Sequence, residues 1–188
     1  TEALVQRCQH GIFGYSEATD PYFDALQKWY NKHFHWQVQR PWLIKTPGVV
    51  FALAIAVKAF TEPGEGVLVQ QPVYYPFTEV IKDNGREVVN SPLILKNGHY
   101  EMDFANLEQK LADPKVKLMF LCSPHNPVGR VWTEAELRKV GDLCLKYNVI
   151  TVSDEIHSDV VWDDNAHTPF ATLGEEYQQN CIVCTAPS

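Results

Sequence analysis

Asp154 and Asn126 are the side chains best placed for chemistry, because each follows an apolar run that reads as a core strand. Val149 to Ser153 leads into Asp154, and a carboxylate beside a core strand is costly unless it is paired. Three partners would justify it: a buried arginine, a protonated pyridine nitrogen of a bound ring, or a metal shared with His157 and Asp159. A metal would want a further ligand. Asp163-Asp164-Asn165 reads better as a solvated turn, and no H-E-x-x-H spacing is present. Val116 to Cys122 leads into Ser123-Pro124-His125-Asn126-Pro127-Val128-Gly129-Arg130. Two prolines restrict this loop. Either the Asn126 amide is held there as a donor to an anionic oxygen, or the segment is an ordinary Asn-Pro turn.

Two further segments have the right composition for a ligand. Thr46-Pro47-Gly48-Val49-Val50 opens an apolar helix whose first N–H groups and dipole attract an anion. The valines have no polar atoms, so a phosphate there would bind through backbone N–H groups at Gly48, Val49 and Val50. Pro72-Val73-Tyr74-Tyr75-Pro76 puts aromatic rings just past another apolar run, where they either stack on a planar ligand or pack against the protein. Cys181-Ile182-Val183-Cys184 is a C-x-x-C in a β-branched run. As a strand it points its two thiols to opposite faces, which favours core thiols over a metal or redox pair. No P-loop, G-x-S-x-G or Ser-His-Asp pattern occurs.

The elements that must position these residues alternate. Helices are expected from Asp20-Pro21 to Phe34, over Val49–Phe60, from Phe77 to Asp83 before an Asn84-Gly85 stop, and over Phe104–Leu111. Another runs from the capping box Thr133-Glu134-Ala135-Glu136 to about Tyr147. The Val49–Phe60 helix is apolar nearly all round and is expected to be buried. Strands are expected at Gly66–Gln70, Glu87–Val89, Val116–Cys122, Val149–Val152 and Cys181–Thr185. Continuous apolar strands separated by helices predict a mostly parallel sheet covered on both faces, a three-layer α/β/α fold in a single domain. The polar segments at Gln71, Ser123, Ser153 and Ala186 all fall just past strand ends, the edge where such sheets bind ligands.

Composition narrows the partners. The 188 residues carry a net charge of −7, which argues against nucleic acid or an anionic membrane surface. The longest apolar run, Val49 to Val57, is far short of the roughly 20 residues that span a bilayer. Five scattered cysteines suggest reduced thiols and a cytoplasmic setting.

Together these segments resemble the class I/II aminotransferase superfamily, the fold type I pyridoxal 5'-phosphate (PLP) enzymes. They are most similar to the cystathionine β-lyase-like C–S lyases of the MalY/PatB type. The resemblance runs from His10-Gly11-Ile12-Phe13-Gly14-Tyr15 to Thr185-Ala186-Pro187-Ser188 and includes Ser153-Asp154-Glu155-Ile156-His157-Ser158-Asp159. It implies that residues 1–188 form an incomplete large PLP-binding domain, without the small domain and the segment after the cofactor-bonding lysine. In that reading Asp154 pairs with the ring nitrogen, Asn126 bonds the ring's phenolic oxygen, and His157 lies near the same edge. Tyr74 stacks on the ring, and Gly48, Val49 and Val50 hold the phosphate. Tyr15 reaches the phosphate of a neighbouring subunit, which implies a homodimer. Ser188 flanks the lysine that bonds the cofactor, expected at the next position, so this chain holds no catalytic residue itself. A small domain with a carboxylate-binding arginine is expected elsewhere in the parent. The implied activity is C–S β-lysis of cystathionine or other L-cysteine conjugates to thiol, pyruvate and ammonia. An aminotransferase and a non-catalytic regulator with this fold are the alternatives.

Overall fold

The computed structural model describes residues 1–15, 17–162 and 164–187, which group into two compact units, Thr1–Lys45 and Thr46 onward. The first unit holds α1 (Glu2–His10), α2 (Asp20–Phe34) and a short 3₁₀ turn, Arg40–Trp42. Thr19, rather than Asp20, is the α2 N-cap, and Asp20 and Pro21 occupy the first turn. Asp20 is instead engaged by Arg40 at 2.5 Å. The Arg40 guanidinium also sits 4.4 Å from the Phe23 ring centroid, and Gln27 donates to the Val38 carbonyl at 2.7 Å. These contacts fold the segment after α2 back along the helix. His35 ends α2 with φ 51°, its N–H bonded to Tyr30 O.

The second unit contains α3 (Val49–Phe60), β1 (Gly66–Val69), α4 (Pro76–Asp83), β2 (Glu87–Asn90), β3 (Ile94–Lys96) and β4 (His99–Glu101). It continues with α5 (Phe104–Leu111), β5 (Val116–Cys122), α6 (Glu134–Lys146), β6 (Ile150–Asp154), α7 (Glu175–Gln178) and β7 (Cys181–Cys184). Five strands form a parallel sheet in the order β2-β1-β5-β6-β7. Leu68, Met119 and Leu121 point to one face, where Leu107 and Leu111 of α5 and Leu137, Val140 and Cys144 of α6 cover them. Val67, Val69, Leu118, Phe120 and Val152 point to the other, under α3 and α4. The period-2 alternation of each strand thus feeds two separate cores, and each fully buried Leu or Phe contributes about 1.5–3 kcal/mol. The result is the expected three-layer α/β/α fold with a parallel central sheet.

Three features differ from expectation. α3 is buried on one face only: Leu53 and Val57 are fully enclosed, while Phe51, Ile55 and Phe60 remain 43–48% exposed. An antiparallel hairpin, β3–β4, turns at Asn97 (φ 51°) and Gly98 (φ 81°), an Asn-Gly turn signal that sequence reading passed over. Helix α1 was also not anticipated. The C-x-x-C behaves as predicted, since Cys181 packs against the α5/α6 core and Cys184 lies in the α3/α4 core. All five cysteines are free thiols. Among the described residues no helix is long and apolar enough to cross a membrane.

Gly141 in α6 provides a test of the packing. A Cβ there would lie 2.5 Å from Tyr177 Cδ1 and 3.3 Å from Phe170 Cζ. Tyr177 is buried and its hydroxyl is tethered to Asp142 at 2.6 Å, so the ring has little room to yield. Helix propensity alone would make Gly→Ala favourable by about 1 kcal/mol. Overpacking should reverse the sign, with Gly141→Ala destabilising the full-length protein by ~1–3 kcal/mol in urea unfolding. An unchanged or raised midpoint would contradict this packing.

Candidate functional site

The strand order reverses at β1: the chain moves outward to β2, then returns to place β5, β6 and β7 on the other side. Loops leaving β1 and β5 therefore diverge at the carboxyl edge and open a crevice. A pocket of about 210 Å³ is lined by Val49, Val50, Tyr74, Cys122, Asn126, Asp154, Ile156 and His157. Of the residues singled out in the sequence, six converge here: Val49, Val50, Tyr74, Asn126, Asp154 and His157. Cys122 and Ile156 were missed. Cys122 enters through strand register, as the cross-strand partner of Asp154, and Ile156 through the turn that follows β6.

Asp154 is the last residue of β6 and is 4% exposed. Its Oδ1 accepts the Ile156 N–H at 3.2 Å. Among the described residues no cation forms an ion pair with it, which removes the buried-arginine reading. Nor does any group of three or more His, Cys, Asp and Glu side chains among them suit a metal ion; Asp163 lies outside the described residues. Burial pushes the pKa of Asp154 up to about 6, the neighbouring Glu155 charge adds to this, and the Ile156 N–H opposes it. Cys122, beside it, is likewise pushed up to about 12 by burial and stays a neutral thiol. Asp154 is thus an anion site that lacks a cation.

The Asn126 loop is held from several sides. The Asn126 N–H donates to Cys122 Sγ at 3.3 Å, and Trp132 Nε1 donates to the Cys122 carbonyl at 2.9 Å. The His125 N–H bonds Arg130 O, and the Gly129 N–H bonds His125 O, both at 2.8 Å, closing the turn. Arg130 grips Glu136 with one guanidinium nitrogen 2.8 and 3.0 Å from the two carboxylate oxygens, and it also donates to Tyr100 O. Glu136 is at the same time the N3 residue of the α6 capping box with Thr133. The loop and the start of α6 therefore form one braced unit, and Asn126 is held as the sequence implied.

At the opposite wall, Gly48 is the N-cap of α3 and its carbonyl accepts the first helical bond, from Ala52 at 3.1 Å. The N–H groups of Val49 and Val50 precede that first bond and are free for an anion. Gly48 has extended backbone (φ 165°), and a Cβ added there meets nothing within 4 Å. The fold itself does not require glycine at this position, and Gly48 is not among the residues that line the pocket. Tyr74 follows β1, with its ring edge-on to Phe77 at 6.2 Å. His157 is exposed at the rim. Tyr15 belongs to the first unit and is fully exposed. Ser188 lies outside the described residues.

Sequence reading also missed Glu155, which turns to the other face of the sheet. Its Oε1 accepts from Ser153 Oγ at 2.8 Å and from the Phe170 N–H at 2.9 Å, and its Oε2 lies 2.9 Å from His167 Nε2. This buried cluster anchors the strand end that carries Asp154.

Residues 9–187 match the family model for class I and II aminotransferases. The chain is 48% identical over its whole length to cystathionine β-lyase PatB of Bacillus subtilis, covering 49% of that protein. It is 36% identical over 92% of its length to protein MalY of Escherichia coli, covering 44% of that protein. It thus spans about half the length of the curated relatives it matches. Among solved structures, PLP-containing cystalysin of Treponema denticola superposes with a TM-score of 0.96 at 41% identity, over all of this chain and 48% of that one. A PLP-bound C–S lyase of Staphylococcus hominis gives 0.94 at 31% identity, over 98% of this chain and 48% of that one.

The acidity of Asp154 predicts a pH signature for the cofactor-free, full-length protein. The folded state keeps this proton up to about pH 6, whereas the unfolded carboxyl releases it near pH 4. Folding therefore takes up a proton in that window, and this residue's contribution to stability falls as pH rises from ~4 to ~6. The accumulated cost above pH 6 is about 3 kcal/mol. Asp154→Asn keeps the acceptor for Ile156 and removes the charge. It should stabilise the cofactor-free protein by ~1–3 kcal/mol at pH 8 and by little near pH 4. A less stable variant at pH 8 would mean that the carboxylate already has its partner within the protein.

Proposed function

The chain belongs to the class I and II aminotransferase family, and from that premise we propose that it forms the PLP-binding large domain of a C–S β-lyase acting on cystathionine and related L-cysteine conjugates. The observation that carries this is Asp154, a buried carboxylate without a counter-charge among the described residues, in the same pocket as a helix N-terminus with free N–H groups. A ligand that fits must present a cation to one and an anion to the other, with a flat body between. PLP, with a protonated ring nitrogen and a phosphate, meets all three requirements.

In this reading Asp154 accepts the ring N–H and keeps that nitrogen charged. The low dielectric that raises the pKa of Asp154 in the empty site strengthens the pair once it forms. The backbone N–H groups of Val49 and Val50, beside Gly48, receive the phosphate. Tyr74 covers one face of the ring, Asn126 donates to its phenolic oxygen, and His157 closes the same edge. Ser188 flanks the lysine that, in the whole protein, bonds the cofactor and takes the α-proton of the substrate. When bound, PLP supplies the sink for the electron pair left on the α-carbon, so that a thiolate can depart from the β-carbon. With water, the products are thiol, pyruvate and ammonia.

The names of the relatives support lysis over transamination: PatB is a cystathionine β-lyase, and the solved Staphylococcus hominis protein is a C–S lyase. Transamination is the second reading, favoured by a 30% identity to a probable N-succinyldiaminopimelate aminotransferase over 77% of the chain. The products discriminate, since a lyase releases pyruvate and thiol without a keto-acid acceptor. We further propose a cytoplasmic homodimer that shares its sites through Tyr15. The exposed apolar face of α3, with Phe51, Ile55 and Phe60, supports a protein partner there.

Two outcomes follow for the full-length enzyme. Asp154→Asn should lower pyruvate release from cystathionine by ~10²-fold or more, the scale of losing a key electrostatic group; near-normal rates would refute the assignment. In analytical ultracentrifugation at assay concentration the active species should be a dimer, and a fully active monomer would exclude a shared site.

A further inference from the structure

The two loops that carry Tyr74 and Asn126 leave different strands and are far apart in sequence, yet one side chain joins them. His125 is 2% exposed, and its Nε2 lies 2.9 Å from the carbonyl oxygen of Pro72. A carbonyl can only accept, so Nε2 carries the hydrogen and donates. The imidazole stands edge-on to Trp132, with ring centroids 5.5 Å apart at 87°. Trp132 is itself 1% exposed and bonded to the Cys122 carbonyl, so the ring has no freedom to swing. The backbone of His125 is held at both its N–H and its C=O by the turn to Arg130. Pro72 lies two residues before Tyr74, and His125 immediately precedes Asn126. Burial lowers the imidazole's pKa, so at neutral pH it is an uncharged donor that needs no counter-ion in this enclosed place.

We propose that His125 is a positioning residue, a strut whose Nε2–H bond to Pro72 locks the Tyr74 loop to the Asn126 loop so that the face and edge contacts of the pocket move as one unit. The inference rests on the reading that this pocket holds PLP, and it adds a residue that is not among those lining the pocket. Without the strut each loop keeps its own internal bonds, but their separation is no longer set. A flat ligand gripped by a ring from one loop and an amide from the other would then feel the difference directly.

The test compares three forms of the full-length protein. His125→Phe keeps an aromatic edge on Trp132 but has no donor, which leaves the Pro72 carbonyl unpaired. His125→Gln places an amide N–H close to the Nε2 position and should restore the bond. PLP affinity should fall by about tenfold in His125→Phe and stay within about twofold of wild type in His125→Gln, the scale of one buried hydrogen bond and its orphaned acceptor. The visible circular dichroism per bound cofactor should weaken in the first variant and not in the second. Hydrogen exchange in the cofactor-free protein reads the strut without PLP: amides in 73–77 and 123–126 should exchange faster in His125→Phe only. Should His125→Phe fail to fold, His125→Asn, whose shorter side chain stops short of Pro72, replaces it. Equal exchange and affinity in all forms would overturn the proposal, as would a Gln variant that falls as far as Phe, because ring packing would then be the cause. A wild-type protein that takes up no PLP would sink the pocket reading, while the exchange comparison would still decide on the strut.

Discussion

An unpaired carboxylate inside the fold is the constraint around which the second unit is arranged. Asp154 sits at the end of a central strand, flanked in register by Cys122 and Cys184. These neighbours are thiols held neutral by burial, not cations or strong donors. A hydrogen-bonding cluster is gathered by Glu155 on the opposite face. A folded chain tolerates such a charge only if the rest of the structure is stable enough to hold it. Two separate apolar cores, one on each face of the sheet, provide that stability. The strain of the empty site and the strength of the occupied one have the same origin, a low local dielectric.

The geometry around this carboxylate follows from topology. Because the strand order reverses at β1, residues after β1, β5 and β6 and the start of α3 meet at one crevice. No residue need be carried on a long mobile loop. The Asn126 segment is tied to α6 through Arg130 and Glu136, and the strand end of Asp154 is tied to the segment at Phe170 through Glu155. The Asn126 loop and the end of β6 are thereby braced by contacts to neighbouring elements.

Much of this was legible in the sequence, for identifiable reasons. Parallel strands buried on both faces read as continuous apolar runs, so the polar residues that follow them, Asn126 and Asp154 among them, stand out. The Thr133–Glu136 capping box and the Asn84-Gly85 stop are local signals, and both hold in the structure. What could not be read was non-local. The bond from His125 to Pro72 spans 53 residues, and Cys122 and Ile156 enter the pocket only through register and a turn. The exposed face of α3 was misjudged because apolar composition says which residues seek cover, not whether this unit supplies it. The N-cap of α2 falls on Thr19, one residue before Asp20, whose carboxylate meets Arg40 from 20 residues away.

The central claim is that Asp154 exists to hold a positive charge on the ring nitrogen of a bound cofactor. The most direct measurement is ¹⁵N NMR of the full-length protein reconstituted with ring-¹⁵N-labelled PLP, followed from pH 6 to 9, in wild type and in Asp154→Asn. The account predicts a protonated ring nitrogen across that range in wild type and a neutral one in the variant. A neutral nitrogen in the wild-type protein, or the same protonated signal in both, would contradict it.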